Sequence, residues 1–374
     1  MKIVYVSNSL IPSQSANSVH VMKMANAFIE LGHDVTLIGR KNKDYIGENL
    51  HEFYGVDNSI KLELIEPLKI KYFKHISFGN HVKNMIKELN PDLLIGRSLQ
   101  GFYFLKDLGI DFIFESHEPV FNFQYKLNGL YFKRLMLRKI LRSQNIRGFV
   151  LISDELKKLY NFNDFPALNV IVAHDGADKV NLHEFAKLQG NNDNIKIGYI
   201  GKFHEGRGLK IVVDVAKSLS QIEFHLLGGS DEELMNLLDL NQIPDNIFCY
   251  NFIEPSDVHK YRNAMNVLIA PYQNEVNINS GINTTNYMSP IKIFEYMASK
   301  KPIISSDFKV LREVLNENNS ILVPPDDVDA WGKAIKKLEI KDVREKLANQ
   351  AFEDFKEKYT WKKRVERILE DTGY

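Results

Sequence analysis

Residues 2–39 read KIVYVSNSLIPSQSANSVHVMKMANAFIELGHDVTLIG, and their alternation of apolar and amphipathic segments sets the expected architecture. An apolar run from Lys2 to Val6 gives way to a polar loop, then to an amphipathic segment from Val19 to Leu31, then to a second apolar run, Asp34 to Gly39. Short Val- and Ile-rich runs suit buried strands, and a helical-period segment between two of them predicts a crossover helix joining parallel strands. The pattern continues outward through DLLIG, DFIFE, GFVLIS and NVIVA. After Asp175 the chain turns polar and Asn-rich in LQGNNDN, then restarts with KIGYIG, EFHLLGG, IFCYNF, NVLIAPY, KPIISSD and SILVPP. We therefore expect an α/β protein of two Rossmann-like, doubly wound domains, with ligands at the carboxyl ends of the strands. The expected boundaries are 1–178 and 179–357, with a closing charged amphipathic helix, about 358–374, anchored by Trp361 and packed back on the first domain.

The totals agree with two domains and narrow the function. At 374 residues the chain exceeds what one hydrophobic core usually supports. Lys+Arg and Asp+Glu both number 48, so no global charge draws the chain to nucleic acid. The single cysteine, Cys249, excludes an internal disulfide and a cysteine-cluster metal site, and suits a reducing cytoplasm. MKIVYVSNSLIP reads as a strand rather than a signal peptide, and no apolar stretch approaches the ~18 residues of a membrane span.

Chemistry concentrates in the second half. The first strand is followed by SNSLIPSQSANS, which lacks both G-x-G-x-x-G and a P-loop pattern, so a dinucleotide cofactor is not expected. In GKFHEGRG, by contrast, Gly201 precedes Lys202, and Arg207 lies in the same Gly-rich turn. Glycines let a ligand approach backbone N–H groups, and two cations beside them suit a diphosphate. In NYMSPIKIFEYMA, Ser289 is the expected N-cap and Pro290 the first helical residue. Lys292 then sits in the first turn, where the helix already carries positive partial charge. A phosphate at that helix end would reconcile the two, because free amides, dipole and Lys292 would act on one anion. Glu295, one turn on, suits sugar hydroxyls; a simple ion pair with Lys292 is the other reading. The Asp residues of PDDVD read as caps of the following helix, and no metal site is expected.

With their surroundings, SPIKIFEYMASKKPIISSD and LREVLNENNSILVPPDDVDAWGKAI resemble the nucleotide-sugar glycosyltransferases of the GT-B fold, in the retaining family 4 branch. IGYIGKFHEGRGLKIVVDVA is similar to that family's donor-phosphate loop, HDGAD (174–178) to its interdomain linker, and GHDVTLIG, FESHEP and LISDELKKLY to weaker first-domain patterns. The resemblance implies two domains facing each other across a cleft. It implies that Lys202 and Arg207 hold the donor diphosphate, that Ser289, Pro290, Ile291 and Lys292 place amides at it, and that Glu295 holds the ribose. It also implies that His117 meets the transferred sugar, with Arg97, Asn17, Ser18 and Glu115 as further candidate lining. Tyr287 stands where many members carry a second glutamate, which leaves the donor sugar and the stereochemistry open.

The expectation is a cytoplasmic, metal-independent transferase without a cofactor, moving sugar from a nucleoside diphosphate donor, expected to be UDP-linked, to a saccharide or lipid-linked acceptor, as in surface polysaccharide synthesis. A nucleotide-sugar epimerase on the same fold and a two-domain solute-binding protein are the alternatives. From Pro119 to Ser153 no acidic residue occurs, while basic and aromatic residues interleave. Residues 126–147 are therefore a candidate contact with anionic lipid, or else a core helix with a solvated face.

Overall fold

A computed structural model describes residues 1–13, 15–43, 49–66, 74–120, 130–275 and 283–374. The chain divides into two units, Met1–Asp175 together with Trp361–Tyr374, and Gly176–Thr360.

In the first unit the strands are β1 (Lys2–Ile11), β2 (Asp34–Lys41), β3 (Lys61–Ile65), β4 (Leu93–Gly96), β5 (Phe112–Ser116), β6 (Ile146–Leu151) and β7 (Val170–Val172). They form one parallel sheet in the order β3-β2-β1-β4-β5-β6-β7. Strand β1 runs past Val6, because pairing with β2 resumes at Leu10↔Arg40 after an irregularity. The buried Ser7 and Ser9 hydroxyls bond each other at 2.7 Å, which makes a polar interruption tolerable inside the sheet. The edge strand β3 escapes sequence reading because only a partly buried alternation marks it. The helix Trp361–Thr372 packs on the helix Ala16–Glu30 and buries Trp361, Val365, Ile368 and Leu369, so the chain's last helix belongs to the first unit.

In the second unit β8 (Lys196–Ile200), β9 (Glu223–Leu227), β10 (Ile247–Tyr250), β11 (Val267–Ala270), β12 (Ile303–Ser306) and β13 (Ile321–Val323) form a parallel sheet in the order β10-β9-β8-β11-β12-β13. Its two faces bury alternate residues of one strand: Val267 and Ile269 enter one apolar cluster, Leu268 and Ala270 the other. That double burial is why these strands read as continuous apolar runs.

Each sheet grows outward from its first strand and then returns to that strand's other side. Doubly wound folds bind ligands at this reversal, beyond the carboxyl ends of the strands. Here the reversal lies between β1 and β4, followed by Arg97, and between β8 and β11, followed by Gly201 and Tyr272.

Candidate active site

In the second unit the turn after β8 is held open by backbone geometry. Gly201 has φ +148°, and a Cβ there would lie 2.8 Å from the Lys292 Nζ. Gly208, φ +77°, approaches the Pro271 carbonyl so closely that a Cβ would sit 1.6 Å from the oxygen. Both positions therefore demand glycine. The side chains of Lys292 and Arg207 converge beside this turn. The Lys292 Nζ lies 4.5 Å from the Tyr199 ring centroid and 5.3 Å from that of Tyr272, while the Arg207 guanidinium lies 5.5 Å from the Tyr272 ring. Ring faces attract cations and so hold these charges without neutralising them. Burial and the Arg207 charge pull the Lys292 ammonium down to about 7, against the opposing pull of Glu295. Lys202 is exposed at the mouth of the turn, its carbonyl accepting from the Tyr199 hydroxyl at 3.3 Å.

The helix bearing Lys292 runs Ile291–Ala298, one residue shorter than expected: Pro290, not Ser289, is the N-cap, and no side chain caps the end. Pro290 has ψ 118°, an extended geometry that delays the first turn to Ile291. Its placement otherwise serves the site, since Lys292 remains in the first turn. The ion-pair reading of Glu295 with Lys292 is corrected. Glu295 Oε2 instead lies 3.2 Å from Nη1 of the buried Arg262, whose Nε donates to Ser299 Oγ at 3.1 Å. Tyr296, next to Glu295 on this helix, is fully buried; its hydroxyl accepts from the Ile200 N–H at 3.1 Å and donates to the Ile269 carbonyl at 3.3 Å. Tyr287 is also buried, immediately before this helix, and the preceding loop lies outside the described residues over 276–282.

The first unit assembles a second cluster at the end of β5. Glu115 and His117 are two apart and so share a side of the chain. His117 Nε2 and Glu115 Oε1 are hydrogen-bonded. Arg364, on the chain's last helix, donates from Nη2 to Glu115 Oε1 at 2.9 Å and from Nη1 to Oε2 at 3.4 Å. His20 Nε2 lies 3.2 Å from Glu115 Oε1 and 3.3 Å from Asp175 Oδ1, and the His20 ring meets His117 edge-on at 4.7 Å and Trp361 at 5.3 Å. Burial would push the Glu115 carboxyl up, but Arg364, His20 and His117 outweigh it and hold it well below the usual range. Burial and the Arg97 charge lower His117 to about 4, Glu115 opposing.

The helix after β1 runs Ala16–Glu30 and so begins three residues before the amphipathic segment expected from Val19. Ser15 is its N-cap, accepting from Ser18 N at 3.3 Å, and Ser18 Oγ turns inward to donate to the Ser13 and Ser15 carbonyls. Asn17 and Ser18, candidate lining residues, both lie in the first turn of this helix, which begins at Ala16. The PDDVD reading fares better: Asp327 is the N-cap of Val328–Lys337 and accepts from Ala330 N at 2.9 Å.

Sequence reasoning missed His20, Arg262, Tyr199, Tyr272 and Arg364 as members of these clusters. Tyr199 and Tyr272 had a signal, since they stand at the carboxyl ends of β8 and β11. Arg364 had none, lying in a helix with charges on most turns. Among the described residues, His20, Glu115, His117 and Asp175 bring ligand-type atoms within 4.8 Å of one another. Arg364 already supplies Glu115 with a positive partner, and a dication would have to displace or crowd that guanidinium.

Residues 18–179 match the family model described as Glycosyltransferase Family 4, and residues 194–339 match that described as Glycosyl transferases group 1. No curated protein matches the sequence. Among solved structures, a sucrose-phosphate synthase from Thermosynechococcus elongatus superposes with TM-score 0.71 at 16% identity, covering 99% of this chain and 97% of that one. A glycosyltransferase from Rickettsia africae gives TM-score 0.72 at 14% identity, covering 99% and 97%. HepE of Anabaena, in complex with UDP and glucose, gives 0.69 at 14% identity, covering 100% and 99%. At these identities the structural likeness speaks to the fold.

Proposed function

We propose, from the premise that this chain is a glycosyltransferase of the GT-B fold, that it transfers a sugar from a UDP-linked donor to a saccharide or lipid-linked acceptor, with retention of configuration and without a metal ion. The observation that carries the reading is the convergence of Lys292 and Arg207 on the glycine turn after β8, at the N-terminus of the helix Ile291–Ala298. Both cations sit against tyrosine rings, with no carboxylate neutralising Lys292 among the described residues. An anionic diphosphate supplies what that arrangement lacks.

In this reading Lys202, Arg207, Lys292 and the amides of Ile291 and Lys292 stabilise negative charge as it grows on the departing nucleoside diphosphate. Glu295, steadied by Arg262, holds the ribose hydroxyls. His117 is the partner of the transferred sugar. Uridine as the base is supported by the complexes of HepE with UDP and UDP-glucose and by that of a further structural neighbour, TarM of S. aureus, with UDP. Surface polysaccharide or glycoconjugate synthesis is the setting we propose. The two glycosyltransferase family matches do not favour an epimerase or a solute-binding protein.

A thermal-shift panel of UDP-, GDP- and TDP-sugars tests the donor, since a ligand that binds only the native state raises its stability. Replacing Lys202 or Arg207 by Ala is then expected to lower kcat/KM about 10²-fold or more, because their target charge is largest in the transition state. Less than about a threefold change in both variants removes the pair from the mechanism.

The same reading includes peripheral contact with anionic lipid. Of the segment 126–147, residues 126–129 lie outside the described part. The helix Leu130–Leu141 buries Leu137 and Ile140 but leaves Phe132 65% and Leu135 37% exposed beside Lys133, Arg138 and Lys139. No helix among the described residues is long and apolar enough to cross a membrane. Cosedimentation with phosphatidylglycerol vesicles should fall as salt rises; its absence at low salt assigns this helix to packing alone.

A further inference from the structure

We infer that Arg364 and Glu115 are positioning residues that fix the proton of His117 on Nε2, so that this histidine meets its sugar as a hydrogen-bond acceptor through Nδ1. The inference rests on the reading of His117 as the partner of the transferred sugar.

The geometry runs from the last helix to the end of β5. Arg364 is anchored independently of Glu115: Nε donates to the His174 carbonyl at 3.0 Å and Nη2 to the Ala173 carbonyl at 3.3 Å. The fork is thus set before it meets the carboxylate, and its contacts with both Glu115 oxygens use the planar match that suits guanidinium to carboxylate. Glu115 is 1% exposed, and a carboxyl so buried would take up a proton without a cation beside it. Arg364 keeps it ionised.

An ionised carboxylate can only accept. The bonded His117 Nε2 must therefore carry hydrogen, and in the neutral ring Nδ1 keeps the lone pair. The surroundings keep the ring neutral: burial and then the Arg97 charge disfavour the imidazolium more than Glu115 favours it. Among the described residues, the other titratable groups facing this cluster are His20, Asp175 and Tyr5. If Glu115 were neutralised, its own hydroxyl could donate to Nε2, the ring proton would move to Nδ1, and His117 would present a donor instead. The C-terminal helix thereby sets the polarity of a residue that stands far from it in sequence.

The test uses the full chain with ¹⁵N-labelled histidine. Imidazole ¹⁵N shifts report the tautomer directly, and the His117→Asn variant assigns the signal. Wild type and R364K, which keeps a cation at Glu115, should show Nε2–H. R364M should lose that tautomer. Because R364M leaves a buried carboxylate unpaired and can fail to fold, E115Q/R364M removes both charges together; its glutamine presents either an oxygen or an N–H to Nε2, so His117 should no longer be held exclusively as Nε2–H. In this double variant kcat for transfer from UDP-glucose, or from the UDP-sugar the thermal panel selects, should fall about tenfold or more, with the donor KM less affected. UDP affinity by calorimetry should stay within about threefold of wild type, since the nucleotide's proposed contacts lie in the second unit. A wild-type His117 protonated on Nδ1, or an unchanged tautomer in E115Q/R364M, overturns the inference. Unaltered turnover in His117→Asn overturns instead the reading of His117 on which it rests.

Discussion

Glu295 reaches across to Arg262 and not along its own helix to Lys292: Oε2 and Nη1 stand 3.2 Å apart, and Arg262 is locked in turn by Ser299. The consequence falls on Lys292, whose ammonium rests between the rings of Tyr199 and Tyr272, in the first turn of a helix that already bears positive partial charge. This is a costly place for a cation in the empty protein and a favourable one once an anion arrives.

Lys292→Ala should accordingly leave the unliganded protein equally or slightly more stable while weakening UDP binding. Calorimetric unfolding with and without UDP checks both halves. Destabilisation of the unliganded protein by more than ~1 kcal/mol with UDP affinity intact assigns Lys292 to structure alone.

The pH dependence follows from the same residue. Its ammonium is pulled from 10.5 to about 7 in the folded chain, so between those values the unfolded state binds more protons. Lys292 therefore lowers stability most below pH 7, and this penalty is relieved as pH rises toward its unfolded value. A bound diphosphate reverses the shift by favouring the charged form. UDP binding above neutrality should then take up a proton, and affinity should decline as pH rises from 7. Titration calorimetry at pH 8 in buffers of different ionisation enthalpy measures the proton count; no uptake, or uptake preserved in Lys292→Ala, refutes it.

Glu295→Ala should separate differently. A carboxylate bound to ribose hydroxyls acts on ground state and transition state alike, so the donor KM should rise with kcat less changed. The variant also strips the partner from a buried guanidinium, and a stability loss of about 1–3 kcal/mol is expected. Glu295→Gln, which retains an acceptor for both Arg262 and a hydroxyl, should recover much of each. Steady-state kinetics beside denaturant unfolding reads the two effects; a fall in kcat alone would place Glu295 elsewhere in the mechanism.

Activity should survive excess EDTA, because cations of the chain itself flank the proposed diphosphate position and Arg364 occupies the carboxylate of the histidine cluster. Loss of turnover, restored by Mg²⁺ or Mn²⁺ but not by monovalent salt, would show that His20, Glu115, His117 and Asp175 or another group takes a metal.

Much of this protein was determined by the order of its residues alone. Buried parallel strands must be apolar throughout and must be joined by amphipathic crossings, so the alternation beginning at Lys2 and restarting near Lys196 dictates two doubly wound sheets. Gly201 and Gly208 and the cations beside them were legible too, since backbone geometry and charge are local properties. Which charge meets which was decided by tertiary structure. Glu295 had a cation three residues away and chose another from a different helix, because that guanidinium is buried and must be paired, whereas Lys292 faces the turn after β8. Arg364 finds Glu115 across 249 positions for the same reason. Periodicity records which side of an element is apolar; it carries no trace of the partner that a buried charge requires, which exists only once the elements have packed.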